Sequence, residues 1–119
     1  MEKLSKQEEE AMLTIWKIGR GTIGEVLEAM PDPKPPYTTL ASTLKNLERK
    51  GYLGFKRYGH VYDYFAAIDH DTYKKAFVGG LVENYFQNSY KEMVSFFAKE
   101  QKISATELQE ILKMIEKGN

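Results

Sequence analysis

The chain has 119 residues, 42% apolar and 29% charged, with Lys and Arg balancing Asp and Glu at a formal net charge of zero. That length suits one modest core, or a small domain with an oligomerisation appendage. No apolar run approaches the roughly 18 residues that span a bilayer, the acidic opening MEKLSKQEEE is no secretory signal, and the lack of cysteine excludes disulfides and thiolate metal sites; a cytoplasmic protein is expected.

Ser5 and Glu8 have the spacing of a capping box. Ala11, Met12, Ile15, Trp16 and Ile18 follow on a helical stripe that stops at Gly19-Arg20-Gly21. Trp16 is expected in the core, packed between this first helix and a later hairpin. Thr22 caps a second short helix over residues 23–30, with Ile23, Val26, Leu27 and Met30 inward. The proline cluster at 31–36 breaks the helical pattern, because each proline lacks an amide donor and restricts the residue before it.

A third helix begins near Tyr37–Thr39 and ends at Gly51, a left-handed stop after Arg49 and Lys50. Leu40, Leu44 and Leu47 form its apolar stripe, while Thr39, Ser42, Thr43, Lys45, Asn46 and Arg49 occupy the other faces. Residues 52–57 and 61–67 are aromatic and β-branched and flank Tyr58-Gly59-His60, which reads as a hairpin turn. Tyr62, Tyr64 and Phe65 are expected to pack over the core. Asp69 or Asp71 then caps a long helix through about residue 88, and residues 89–100 and 104–117 are helical by period.

The fold class expected is mainly α with a small β-hairpin: a winged helix-turn-helix over residues 1–68, then a helical dimerisation domain over 69–119. From residue 33 to 62 the basic residues are Lys34, Lys45, Arg49, Lys50, Lys56 and Arg57, against a single acid, Glu48. A phosphate responds to charge within a Debye length of roughly 8–10 Å, so this local excess matters more than the zero total. Small hydroxyls let a helix sit deep in a groove, and amide and basic groups reach base edges and phosphates. A plain surface helix explains the leucine stripe equally well; only a DNA-binding helix also explains the basic hairpin behind it. Lys56 and Arg57 are expected to meet phosphate at the hairpin.

Catalysis finds little support. The only histidines are His60 and His70, and no phosphate-cradling glycine loop, HExxH or serine-nucleophile motif is present. His70-Asp71 reads as a helix start before a metal site. No catalytic residue, metal or cofactor is expected. The C-terminal helices instead carry more apolar side chains than they can bury alone, among them Phe77, Leu81, Tyr85, Phe86, Val94 and Phe97, with Leu108, Ile111, Leu112 and Ile115 on the last helix. Such a surface suits a homodimer. The alternative is a winged-helix protein–protein adaptor without a DNA partner, which fits the zero net charge but fits the basic run from Lys45 to Arg57 poorly.

Taken in order, Leu4-Ser5, Ile15-Trp16, residues 22–27, Tyr37-Thr38-Thr39-Leu40, Leu44, Leu47, Lys50-Gly51-Tyr52, Val61-Tyr62-Asp63-Tyr64-Phe65, residues 97–100 and Ile103-Ser104 resemble the penicillinase-repressor (BlaI/MecI/CopY) family of bacterial transcription regulators. The resemblance implies a repressor that binds palindromic double-stranded operator DNA as a homodimer until an inducing event releases it. It places recognition residues at Thr38, Thr39, Ala41, Ser42, Lys45 and Asn46. The copper-responsive branch clusters cysteines near its C-terminus, and this chain has none. In the β-lactam-responsive branch a membrane sensor-protease triggers cleavage at an Asn-Phe bond, and the matching pair here is Ser95-Phe96. Ala41 stands where the family often carries arginine, which implies a different operator.

Overall fold

Reciprocal caps start the first two helices in the computed structural model, which describes residues 1–118. Ser5 accepts from the Glu8 amide while the Glu8 carboxylate accepts from the Ser5 amide, opening α1 (Lys6–Ile18). Thr22 and Glu25 do the same for α2 (Ile23–Ala29). Between them lies β1 (Arg20–Thr22), followed further on by α3 (Tyr37–Arg49), β2 (Leu53–Tyr58), β3 (Val61–Ala66), α4 (His70–Tyr85), α5 (Tyr90–Lys99) and α6 (Ala105–Glu116).

The hairpin expected from the sequence gains a third strand. β1 pairs antiparallel with β3, placing Arg20 opposite Phe65 and Thr22 opposite Asp63, so the sheet order is β1-β3-β2. Gly59, at φ 62°, opens a two-residue loop between the paired Tyr58 and Val61, the pattern of a type II′ turn. Alternation then sorts β3: Tyr64 is buried, and Phe65 points to the opposite face, its ring lying over Gly54.

The chain divides into two compact units, Met1–Lys74 and the remainder from Lys75. In the first, Ala11, Met12, Ile15, Val26, Leu40, Leu44, Leu47, Tyr52, Leu53 and Tyr64 form one cluster. Each large aliphatic side chain so buried contributes about 1.5–3 kcal/mol. Two expectations for α1 change. Ile18 is exposed, and Thr14 takes an inward position with its hydroxyl on the Glu10 carbonyl. Trp16 is half-buried against the core cluster, and its specific partners lie beyond the hairpin: its ring stacks on His70 at 4.5 Å and 5°, and its indole N–H donates to the Ile68 carbonyl at 2.9 Å. The start of α4 supplies the planar partner and the acceptor that an indole needs.

Asp69 is the residue that caps α4, accepting from the Thr72 amide at 2.7 Å. α4 stops at Tyr85, short of the expected residue 88, because Gln87 and Asn88 take left-handed backbone at φ 55° and 58°. In the second unit Phe86 meets Phe96 edge-on at 5.6 Å, Phe96 meets Phe97 at 5.3 Å, and Val82 is fully buried.

Candidate nucleic-acid interface

The candidate reading helix, α3, is built by exclusion. Leu40, Leu44 and Leu47 turn one side of α3 inward. Thr43 joins them: it is buried, and its hydroxyl donates to the Thr39 carbonyl at 2.9 Å. What remains outside is a line of Thr38, Ser42, Lys45 and Arg49, spaced four, three and four, all exposed. Thr39 is exposed and Asn46 half-buried on the adjacent flank. Arg49 was absent from the expected contacts, although its spacing from Lys45 already placed it on this line. Pro36 caps α3 without a side-chain acceptor, which leaves the first amides of the helix open beside the Thr38 and Thr39 hydroxyls. Such an end favours an anion.

Ala41 is half-buried and faces a cleft between α3 and the hairpin. Two adjoining hollows of about 370 and 360 Å³ share Lys45, Tyr62 and Tyr64 as lining. Tyr37, Ala41, Arg57 and His60 line one end; Glu48, Arg49 and Phe55 line the other. Lys45 therefore stands in the middle of the cleft.

Lys56 and Arg57 do not share a face of the sheet. Neighbouring strand residues point to opposite sheet faces, and the register puts Arg57 opposite Tyr62 but Lys56 opposite Asp63. Arg57 faces the cleft. Its Nε donates to the Gly59 carbonyl at 2.8 Å, and its guanidinium lies 5.7 Å from the centre of the Tyr62 ring. Lys56 lies on the other face, 5.5 Å from the Tyr58 ring. There Asp63 is already held by Arg20 at 2.7 Å.

Two of the basic residues in this stretch have internal partners. Lys34 donates to the Glu28 and Met30 carbonyls at the end of α2. Lys50 is ion-paired with the buried Glu8 at 2.7 Å and donates to the Lys3 carbonyl. Burial pushes the Glu8 carboxyl up, but the Lys50 ammonium and the Ser5 amide and hydroxyl outweigh it and hold it below the usual carboxylate range. The exposed positive charge thus narrows to Lys45, Arg49, Lys56 and Arg57, and three of these line the cleft.

In the second unit, Phe77, Tyr85, Val94, Ile111, Leu112 and Ile115 are exposed, while Leu81, Phe86, Phe97 and Leu108 are half-buried. An apolar groove of about 660 Å³ runs past Leu81, Tyr85, Phe86, Phe96 and Phe97, edged by Glu92, Ser95 and Lys99. Ser95-Phe96 lies inside α5, with Ser95 half-buried and Phe96 exposed. Among the described residues no helix is long and apolar enough to cross a membrane.

Three helices with a three-stranded sheet, whose β2–β3 hairpin flanks the third helix, make the first unit a winged helix-turn-helix domain. The chain belongs to the penicillinase repressor family, whose sequence pattern matches residues 4–117. This is a family of DNA-binding transcriptional repressors, not of enzymes. The chain is similar to a solved structure described as the CopR repressor, at 23% identity over 55% of this chain and 96% of that one, with a TM-score of 0.46. It is also similar to Bordetella bronchiseptica BpsR, from a structure on the regulation of its DNA binding by 6-hydroxynicotinic acid. That likeness is 15% identical over 97% of this chain and 74% of that one, with a TM-score of 0.50. No curated protein sequence is similar enough to count as a match.

Proposed function

We propose that the protein is a cytoplasmic homodimeric repressor whose α3 enters the major groove of a palindromic operator, one half-site per protomer. The observation that carries this reading is the exposed line Thr38, Ser42, Lys45 and Arg49, set directly opposite a buried leucine stripe and beside a cation-lined cleft. Thr38 and Thr39 take phosphate at the open helix end, Ser42, Lys45 and Asn46 reach base edges or backbone, and Ala41 leaves room at the cleft. Arg57 takes flanking phosphate, and Lys56 adds charge from the outer face. The exposed apolar side chains of α4 to α6 supply the dimer contact, and occlusion of the promoter supplies repression.

Release follows an inducing signal. Cleavage by a membrane sensor-protease at Ser95-Phe96 requires α5 to open locally, because a protease needs the extended backbone that a helix denies it. Mass spectrometry of the chain after incubation with such a protease tests this step, and an intact Ser95-Phe96 bond rejects it. For the binding itself, fluorescence anisotropy against promoter fragments at two salt concentrations is decisive. One fragment is expected to bind far more tightly than the rest, with affinity falling steeply as salt rises. Equal weak binding to all fragments overturns the repressor reading, and no duplex binding at low salt favours the adaptor alternative.

A further inference from the structure

We propose that Tyr62 is the positioning residue for Arg57, the hairpin cation read above as a phosphate contact, an inference that rests on that DNA-binding reading. The guanidinium is pre-organised from two sides. Its Nε is spent on the Gly59 carbonyl at 2.8 Å, which fixes the plane at the hairpin turn, and the Tyr62 ring lies 5.7 Å from its carbon. Tyr62 is itself held, stacked on Phe55 at 4.6 Å and 2°. The two terminal nitrogens, the fork that grips a phosphate bidentately, have no ion pair among the described residues and face the cleft that Lys45 also lines. A side chain ordered before binding loses less rotamer freedom on contact.

Charge selects the same end of the cleft. Glu48 lines the hollow beside Arg49 and repels a phosphate there, whereas the hollow that contains Arg57, Lys45 and His60 has no acid in its lining. Lys56 has neither advantage. It projects from the opposite sheet face, directly across from Asp63. Its contribution is a diffuse field, and that of Arg57 is a contact.

The test uses the full chain and a fluorescein-labelled mixed-sequence duplex, since a phosphate contact is read on any sequence. Affinity is followed over a sodium chloride series. Carried by both protomers of the dimer, Arg57→Ala removes two contacts; it is expected to weaken binding on the order of a hundredfold, in line with two lost charge-assisted hydrogen bonds, and to lower the salt slope by about 1.8, two phosphates' share. Arg57→Lys keeps the slope but not the affinity. Tyr62→Leu reproduces most of the Arg57→Ala loss, Tyr62→Phe behaves as the wild type, and Tyr62→Leu adds nothing in an Arg57→Ala background. Lys56→Ala shifts affinity less than Arg57→Ala. An unchanged slope in Arg57→Ala, with the wild type binding normally, overturns the contact. A Tyr62→Leu loss that persists undiminished without Arg57 overturns the positioning role. Failure of the wild type to bind any duplex instead removes the DNA reading beneath both.

Discussion

At Glu8 burial and charge pull in opposite directions, and charge wins. The carboxylate is nearly buried, yet the Lys50 ammonium at 2.7 Å and the Ser5 cap keep it ionised. Its pKa in the folded protein lies below the ordinary 4.5, so the unfolded chain takes up the proton first on acidification. The stabilisation is therefore complete above pH 4.5 and is lost as pH falls through the lower, folded value. Glu8→Gln keeps the shape but leaves Lys50 with no ionic partner, and it is expected to cost about 2 kcal/mol at neutral pH. Urea midpoints measured between neutral and acidic pH check this: the gap between wild type and variant should close on the acid side. A constant gap means that the ion pair is not its source. None of this was readable locally, because Lys50 lies 42 residues from Glu8 and looked like one more cation for DNA. Trp16 escaped for the same reason, its acceptor lying 52 residues away at Ile68.

Elements whose signal is periodic and local were legible. The leucine stripe of α3, the capping pair at Ser5-Glu8 and the left-handed stop at Gly51 (φ 85°) all follow from short-range spacing. β1 was not legible, since three residues, Arg20-Gly21-Thr22, show no alternation and become a strand only by pairing with β3. For the hairpin the opposite holds: period two already places Lys56 and Arg57 on opposite faces of the sheet, a distinction that their charge alone does not make. On the DNA-binding reading proposed above, the same reasoning would make Glu48 a brake on binding. It is exposed in the cleft one helical turn from Lys45, so Glu48→Gln should tighten every duplex by a few-fold, as expected for about 0.5–1 kcal/mol of exposed charge interaction. Anisotropy titrations at low salt would show it, and an affinity unchanged or weaker would place no phosphate near that end of the cleft. In α4, Gly79 and Gly80 sit in helical backbone, and a Cβ at Gly80 would meet open space. Gly80→Ala should raise stability by about 0.5–1 kcal/mol. A higher thermal midpoint is the readout; a lower one means that this glycine is needed for a conformation other than the helix.

For the whole molecule, the proposed reading needs two winged domains acting together, and the second unit would supply the contact between them. Leu112 and Ile115 on α6 are 53% and 64% exposed, so neither is needed by the interior of its own unit. Phe77, Tyr85 and Ile111 are exposed as well, and large apolar side chains left in water in such number suit an interface. On the homodimer reading proposed above, a second copy covers these side chains, and tethering two α3 helices would turn the second half-site contact into an intramolecular step worth roughly 10²–10⁴ in avidity. Leu112→Glu with Ile115→Glu should therefore leave the helical content unchanged by circular dichroism while shifting the chain from dimer to monomer in sedimentation velocity. Because each protomer brings its own Lys45, Arg49 and Arg57, the salt slope of operator binding should fall to about half, alongside an affinity loss of at least about a hundredfold. A variant that stays dimeric moves the interface off α6; one that becomes monomeric yet binds with the full slope shows that a single protomer makes all the phosphate contacts, and the two-half-site reading fails.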